Sequence, residues 1–253
     1  MLRKQIFTSL VLLILIANVS LVSAEAPATL AELLVDSRRE VEDKIRDRFR
    51  KPEQVVEFLN IQPGMKILEL YAAGGYYTVI LATAVGDEGA VFAQNSPRAL
   101  RFEEDRAEIT AGEALTQKIS ALEITNVIRI DERLNDIHFE PESLDMVVIF
   151  QVFHDYFNRD PERAAQMLKQ VNNLLKPGGT VGLIDHYGLI DRDNLRLHRI
   201  PKNYVTNAFI DEGFVLLKES DLLRNKNDSQ RRPIFDPSLG RNTDRFLILF
   251  QKP

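Results

Sequence analysis

No cysteine occurs anywhere in the 253 residues, and its absence excludes disulfides, thiolate metal sites and cysteine nucleophiles together. A chain without thiols also suits an oxidising compartment, and its stability has to come from a packed core. A block of lysine or arginine is missing as well. The formal net charge is −5 and the isoelectric point is near 5.5, which speaks against a nucleic-acid groove. Internal repeats and low-complexity tracts are absent. Histidine is scarce, with four in all, so the places where it falls are informative. What the chain does have is apolar content, 45% of residues, which at this length suits one large α/β domain better than two small ones.

Arg3 and Lys4 precede an apolar run over residues 6–22, interrupted by Thr8, Ser9, Asn18 and Ser20 and closed by Val22-Ser23-Ala24. This pattern predicts a signal peptide over residues 1–24, cleaved after Ala24, and an exported, periplasmic protein without a stable membrane partner after cleavage. The alternative is an uncleaved N-terminal membrane anchor, because the run is nearly long enough to span a bilayer. Residues 25–51 read as a helical extension, with Leu30, Leu33, Leu34, Val41, Ile45 and Phe49 at mostly helical spacing among dense charge. Residues 52–253 read as the main domain.

Within that domain, Pro52 opens a short helix, and Pro63-Gly64 turns the chain into a first strand over residues 66–70. A helix over 76–85, a second strand over 90–93 and a long polar helix from Asn95-Ser96-Pro97 to about Ala121 follow. Strands at 127–130, 144–150 and 181–185 come next, with a helix over 161–175 before the last. This alternation implies a parallel sheet with right-handed crossovers. Residues 214–219 and 245–251 read instead as an antiparallel pair at the sheet edge. The polar stretch 225–244 reads as a long loop, and loops of that length are usually functional or mobile.

At the end of the first strand, Glu69-Leu70-Tyr71-Ala72-Ala73-Gly74-Gly75 places an acid, then small residues, before a helix start. Such a turn lets a cofactor approach the backbone. Glu69 would repel a pyrophosphate, whereas S-adenosylmethionine carries a sulfonium, an amino group and ribose hydroxyls. Two glycines are lacking. Where acid-x-Gly-x-Gly-x-Gly would be usual, Tyr71 and Ala73 stand in glycine places and only Gly75 remains.

Together with Leu175-Lys176-Pro177-Gly178-Gly179 before the fifth strand, this pattern resembles the class I S-adenosylmethionine-dependent methyltransferases, over roughly residue 52 to the C-terminus. More narrowly, the chain resembles exported bacterial predicted methyltransferases. The shared phrases are Phe150-Gln151-Val152-Phe153-His154-Asp155, Asp185-His186, Leu197-His198-Arg199-Ile200, Glu219-Ser220-Asp221-Leu222-Leu223-Arg224-Asn225 and Thr243-Asp244-Arg245-Phe246. The resemblance implies a Rossmann-like, mostly parallel seven-stranded sheet of order 3-2-1-4-5-7-6 with a C-terminal antiparallel hairpin. It also implies S-adenosylmethionine as cofactor and methyl transfer to a small-molecule substrate.

Under that resemblance, Glu69 would orient the turn and act by its charge. Ala73, Gly74 and Gly75 would pass under the methionine moiety, with Tyr71 or Tyr76 beside it, though Tyr76 and Tyr77 equally suit core packing. Asn95 stands where the family pattern has an acid for the ribose hydroxyls, with Gln94 its near competitor. Asp131 would meet the adenine amino group, or else lie solvated, and Phe150 and Gln151, at the end of the fourth strand, would bind the cofactor where it presents the methyl to be transferred. Tyr71, Tyr76, Tyr77, Phe150, Phe153, Tyr156 and Phe157 suggest a partly apolar pocket.

Three of the four histidines, His154, His186 and His198, follow the fourth and fifth strands. His154 is the candidate base, oriented by Asp155 or by another acid, and His186 joins them as a catalytic candidate. The same residues with Asp185 and His198 could instead gather a metal, but no tight His-x-x-x-His spacing supports one, and the expected site is metal-independent. A non-catalytic ligand-binding protein on this fold is the other alternative. Arg231 and Arg232 read as a solvated loop, and Thr243-Asp244-Arg245 as a structural network.

Overall fold

The computed structural model describes residues 25–102 and 109–253. The apolar run, the cleavage site after Ala24 and the middle of the expected polar helix therefore lie outside the described residues. Among the described residues, no helix is long and apolar enough to cross a membrane.

Helices α1 (Leu30–Val35), α2 (Val41–Arg50) and α3 (Pro52–Leu59) precede β1 (Lys66–Leu70). Thr29 and Glu32 close a capping box on α1, and Pro52 occupies the first turn of α3, where its missing N–H costs nothing. The next elements are α4 (Tyr76–Val85), β2 (Ala90–Gln94), α5 (Ala111–Ala121), β3 (Val127–Ile130), β4 (Leu144–Phe150), α6 (Phe153–Arg159), α7 (Pro161–Leu174) and β5 (Leu175–His186). Then follow α8 (Asn194–Leu197), α9 (Lys202–Asp211), β6 (Val215–Ser220) and β7 (Arg245–Gln251).

The seven strands form one sheet of order β3-β2-β1-β4-β5-β7-β6. All neighbours are parallel except β5 with β7 and β6 with β7. Side chains alternate across it with period two. Leu68, Val147, Ile149, Leu183 and Ile248 meet Leu168, Val171 and Phe209 on one face. Ile67, Met146, Val148, Ile184 and Leu247 meet Leu59, Val79 and Ile80 on the other. Helix α4 is apolar nearly all round, and every residue from Tyr76 to Thr83 is buried, because α1 and α3 cover the side that the sheet does not.

Two expectations need correction. The polar helix is not continuous from Asn95: a short 3-10 turn spans Ala99–Arg101, and α5 begins only after Thr110, which with Glu113 forms a capping box. The fifth strand also begins earlier than expected, at Leu175, with a bulge over Lys176-Pro177-Gly178-Gly179, where Gly178 holds φ 78°, before Thr180 pairs with Met146.

Candidate active site

Strand order reverses between β1 and β4, so the C-terminal ends of β1, β2, β4 and β5 converge on one rim. At that rim Tyr71, Ala73 and Gly75 all hold left-handed backbone, with φ of 57°, 49° and 83°. The turn thus keeps the path that glycines would take, although two of them are replaced. At Gly75 a replacement would be strained by the positive φ, and an added Cβ, 2.6 Å from Leu115 Cδ1, would also force that side chain to move.

Asn95 makes the turn possible. Its Oδ1 accepts from Ala73 N at 2.9 Å and its Nδ2 donates to Ala73 O at 3.3 Å. The amide expected to receive the ribose hydroxyls is therefore turned inward and fully buried. Gln94 is no substitute, since it accepts from Tyr71 N and donates to Glu132 O. Asp131 is exposed and ion-paired with Arg129 at 2.9 Å, and Arg129 in turn donates to Gly112 O on α5.

Glu69 is buried beneath the turn, and Thr78 Oγ1 donates to it at 2.6 Å. Burial pushes its carboxyl up to about 8, against the opposing pull of the Thr78 hydrogen bond and the Arg50 charge. Arg50 lies over the Tyr76 ring at 4.2 Å, Tyr76 donates to Asp47 at 2.7 Å, and Arg245 donates to Phe49 O at 2.9 Å. Lys118, itself buried, donates to Gly74 O at 3.0 Å and pairs with Asp43 at 3.1 Å and Glu40 at 3.3 Å. Helix α2 is thus fastened to the turn. Thr78, Lys118 and Arg50 were not singled out in the sequence, and only the Glu69 to Thr78 spacing across a strand, turn and helix start hinted at the first of them.

Across the switch point, α6 carries His154 and Asp155. The acid that orients His154 is Asp185, not its neighbour: Asp185 Oδ1 lies 2.7 Å from His154 Nδ1, and Asp185 Oδ2 accepts from His154 N at 2.8 Å. Burial alone would lower the His154 pKa, but the charge and hydrogen bond of Asp185 prevail and raise it. His186 sits at the end of β5, its ring 5.7 Å from that of His154, with Nδ1 2.7 Å from Thr243 Oγ1. Burial, followed by the fields of His154 and Arg245, holds its pKa well below the ordinary value. The ring of His198 is also 5.7 Å from that of His154. His138 is exposed on a loop away from this group.

The aromatic pocket needs revision. Tyr76, Tyr77, Phe150 and Phe153 are buried, with Tyr77 on Phe150 at 4.6 Å and Phe153 on Phe209 at 5.4 Å, so they are core. Tyr71 and Tyr156 are only half-buried, and their hydroxyls meet beside the turn. Gln151 holds left-handed backbone at φ 60° and donates its main-chain N–H to Ile184 O. The Thr243–Arg245 segment does form a network. Asp244 accepts from Arg224, Asn225 N and Gln230, and Arg199 is paired with Asp228 at 2.9 Å with both side chains fully buried.

Known proteins similar to the chain share its fold. The family profile described as methyltransferase domain matches residues 88–183, and that of protein-L-isoaspartate(D-aspartate) O-methyltransferase matches residues 52–116. Demethylmenaquinone methyltransferases of Bacillus mycoides and Bacillus cereus are 27% and 26% identical over 155 residues, 56% of this chain. The matched part spans 59% of those relatives' length. A solved S-adenosylmethionine-dependent methyltransferase of Aquifex aeolicus superposes with a TM-score of 0.60 at 16% identity, covering 88% of this chain and 97% of that one. One from Mesorhizobium loti gives 0.54 at 16% identity, over 79% and 96%. Strand order, family profiles and relatives converge: the chain has the fold of the class I S-adenosylmethionine-dependent methyltransferases and is similar in sequence to methyltransferases over residues 52–183.

Proposed function

We propose that the protein transfers a methyl group from S-adenosylmethionine to a small, partly apolar acceptor. The carrying observation is the turn at residues 71–75, which keeps left-handed backbone at all three glycine places above a buried carboxyl. When bound, S-adenosylmethionine supplies an electrophilic methyl on a sulfonium. The residues fit its methionine end: Ala73 is exposed at the tip of the turn, Gly74 and Gly75 add no bulk, and Glu69 beneath the turn fixes Thr78 at the start of α4. Tyr71 and Tyr156 form the half-buried wall beside it. On the acceptor's side, Asp185 holds His154 Nδ1, leaving Nε2 to take a proton from an acceptor that carries one. Most of the rate then comes from alignment of donor and acceptor.

A second reading has its own support. With Asn95 closed on Ala73, β2 offers no free group for the ribose, which favours a protein that binds a ligand on this fold without transferring a methyl. Calorimetric titration of the purified chain with S-adenosylmethionine and S-adenosylhomocysteine tests both. Binding below about 1 mM supports the methyltransferase reading, and no heat well above about 1 mM overturns it. Tight binding with no methyl loss on incubation with mixed hydroxyl and amine acceptors favours the second.

Export is proposed from the apolar run over residues 6–22. N-terminal sequencing of the secreted protein should begin at or near Glu25, and a retained Met1 would support the anchor instead.

A further inference from the structure

On the acceptor's side of the rim, three potential ligand atoms from two elements face one another without hydrogen bonds between them. His154, Asp155 and His198 each present one such atom, and the three lie within 4.8 Å of one another. For His154 the available atom is Nε2, since Nδ1 is held by Asp185. Asp155 Oδ1 is 3.7 Å from that Nε2 and 2.9 Å from His198 Nδ1. The 2.9 Å approach is nevertheless not a hydrogen bond: Asp155 Oδ1 and His198 Nδ1 are both buried and both lack a hydrogen-bond partner. Buried polar atoms in native proteins are nearly always satisfied, so two unpartnered atoms 2.9 Å apart that do not point at each other call for a shared partner beside them.

A proton on one imidazole would satisfy one pair but not the third atom. A cation satisfies all three. Two imidazole nitrogens and one carboxylate oxygen, with further positions open, are the donor set of zinc, manganese and iron(II) centres that keep a place for an exogenous ligand. The surroundings of His154 fit as well. Ligating histidines almost always give their second nitrogen to a carboxylate, and Asp185 takes that part while also accepting the main-chain N–H groups of His154 and His186. His198 is fixed from its other side. It caps α8 in left-handed backbone, φ 53°, with the Phe235 ring 5.1 Å from its own. Its neighbour Arg199 is locked by Asp228, Tyr187 O and Arg232 O.

We propose that His154 Nε2, Asp155 Oδ1 and His198 Nδ1 bind one divalent transition-metal ion, with the open positions taken by an oxygen ligand such as a hydroxyl or carboxylate. With the ion bound, Nε2 is taken out of proton transfer and the base role given to His154 applies only to the ion-free chain; a hydroxyl on the ion would be acidified and lose its proton to solvent water instead. The site itself does not depend on that reaction. His138, exposed and remote, is no part of it.

The test uses the full chain without an affinity tag, stripped with chelator and titrated with zinc chloride in the absence of any methyl donor. One zinc per chain is expected, with a dissociation constant below about 10 µM. His198→Asn suits the left-handed backbone at that position, so it should fold as the parent does and lose stoichiometric binding. Asp155→Asn should behave likewise. Asp185→Asn should weaken binding by about tenfold or more, as loss of a carboxylate behind a ligating histidine does. His138→Gln should bind as the parent does. The proposal is overturned if the parent takes up no stoichiometric zinc at about 100 µM, if His198→Asn and Asp155→Asn bind undiminished, or if His138→Gln abolishes binding. Because no methyl donor is present, a failure of donor binding bears on the proposed function and not on this site.

Discussion

Asp185 binds His154 at two points, its Oδ1 2.7 Å from the ring Nδ1 and its Oδ2 accepting the main-chain N–H at 2.8 Å. One carboxylate at the end of β5 therefore sets both where α6 begins and which way the imidazole turns. Asp185→Asn replaces one acceptor oxygen by an amide N–H directed at donors. The expected loss is about 2–4 kcal/mol in urea unfolding. A loss under about 0.5 kcal/mol would show that the pair is not holding α6.

The buried Glu69 gives stability a pH slope. Its carboxyl is raised from 4.5 to about 8 in the folded chain. Below the unfolded value both states hold the proton and the contribution is fully present. Between roughly 4.5 and 8 only the folded state holds it, so stability falls as pH rises through that window, by on the order of 4 kcal/mol from this group. Urea unfolding at pH 5.5 and 8 should show the fall, and Glu69→Gln should flatten it. An unchanged slope in the variant would place the origin elsewhere.

Ala73 carries left-handed backbone, φ 49°, with no side-chain burial to offset it. Ala73→Gly relieves about 1–2 kcal/mol of strain and adds part of that back as entropy of the unfolded chain. A net stabilisation of about 0.5–1 kcal/mol is expected, read as a higher urea midpoint at unchanged m-value. A lower midpoint would mean that the Asn95 clasp, rather than strain, decides this position.

Arg199 and Asp228 pair with no exposure of either side chain. Asp228→Ala leaves a buried guanidinium and frees the main-chain N–H groups of Gln230 and Asp244. A loss of about 3–5 kcal/mol is expected, together with early cleavage between residues 225 and 243 in limited proteolysis. Cleavage at the parental rate would show the loop to be held by other contacts.

Much of the sheet was legible because its signals are local. The apolar run at residues 66–70 ends at a turn and Pro52 sits where a helix begins, while β4 and β7 are long enough to be recognised alone. Helix α6 was not read, since the i, i+3, i+4 spacing of Phe153, Tyr156 and Phe157 in a segment of seven residues is too short to establish a period, and its start rests on an acid 31 residues onward. The start of α5 could have been found from Thr110 and Glu113, a capping box that the surrounding run of charge obscured. In the site, the sequence placed three histidines on the right rim. It could not show that Asn95 folds back on Ala73, or that Asp185 and not Asp155 meets His154, because each choice depends on a side-chain direction fixed by neighbouring strands.

Lys118 connects Asp43 and Glu40 of the opening segment with the carbonyl of Gly74. One ammonium in a buried place thus makes residues 40–50 and the turn a single thermodynamic body. A ligand that tightens the turn must also tighten α2, and by reciprocity anything that grips or tethers the N-terminal segment adjusts affinity at the turn by the same factor. Lys118 shares that coupling with the Tyr76 hydroxyl on Asp47 and the Arg245 guanidinium on the Phe49 carbonyl.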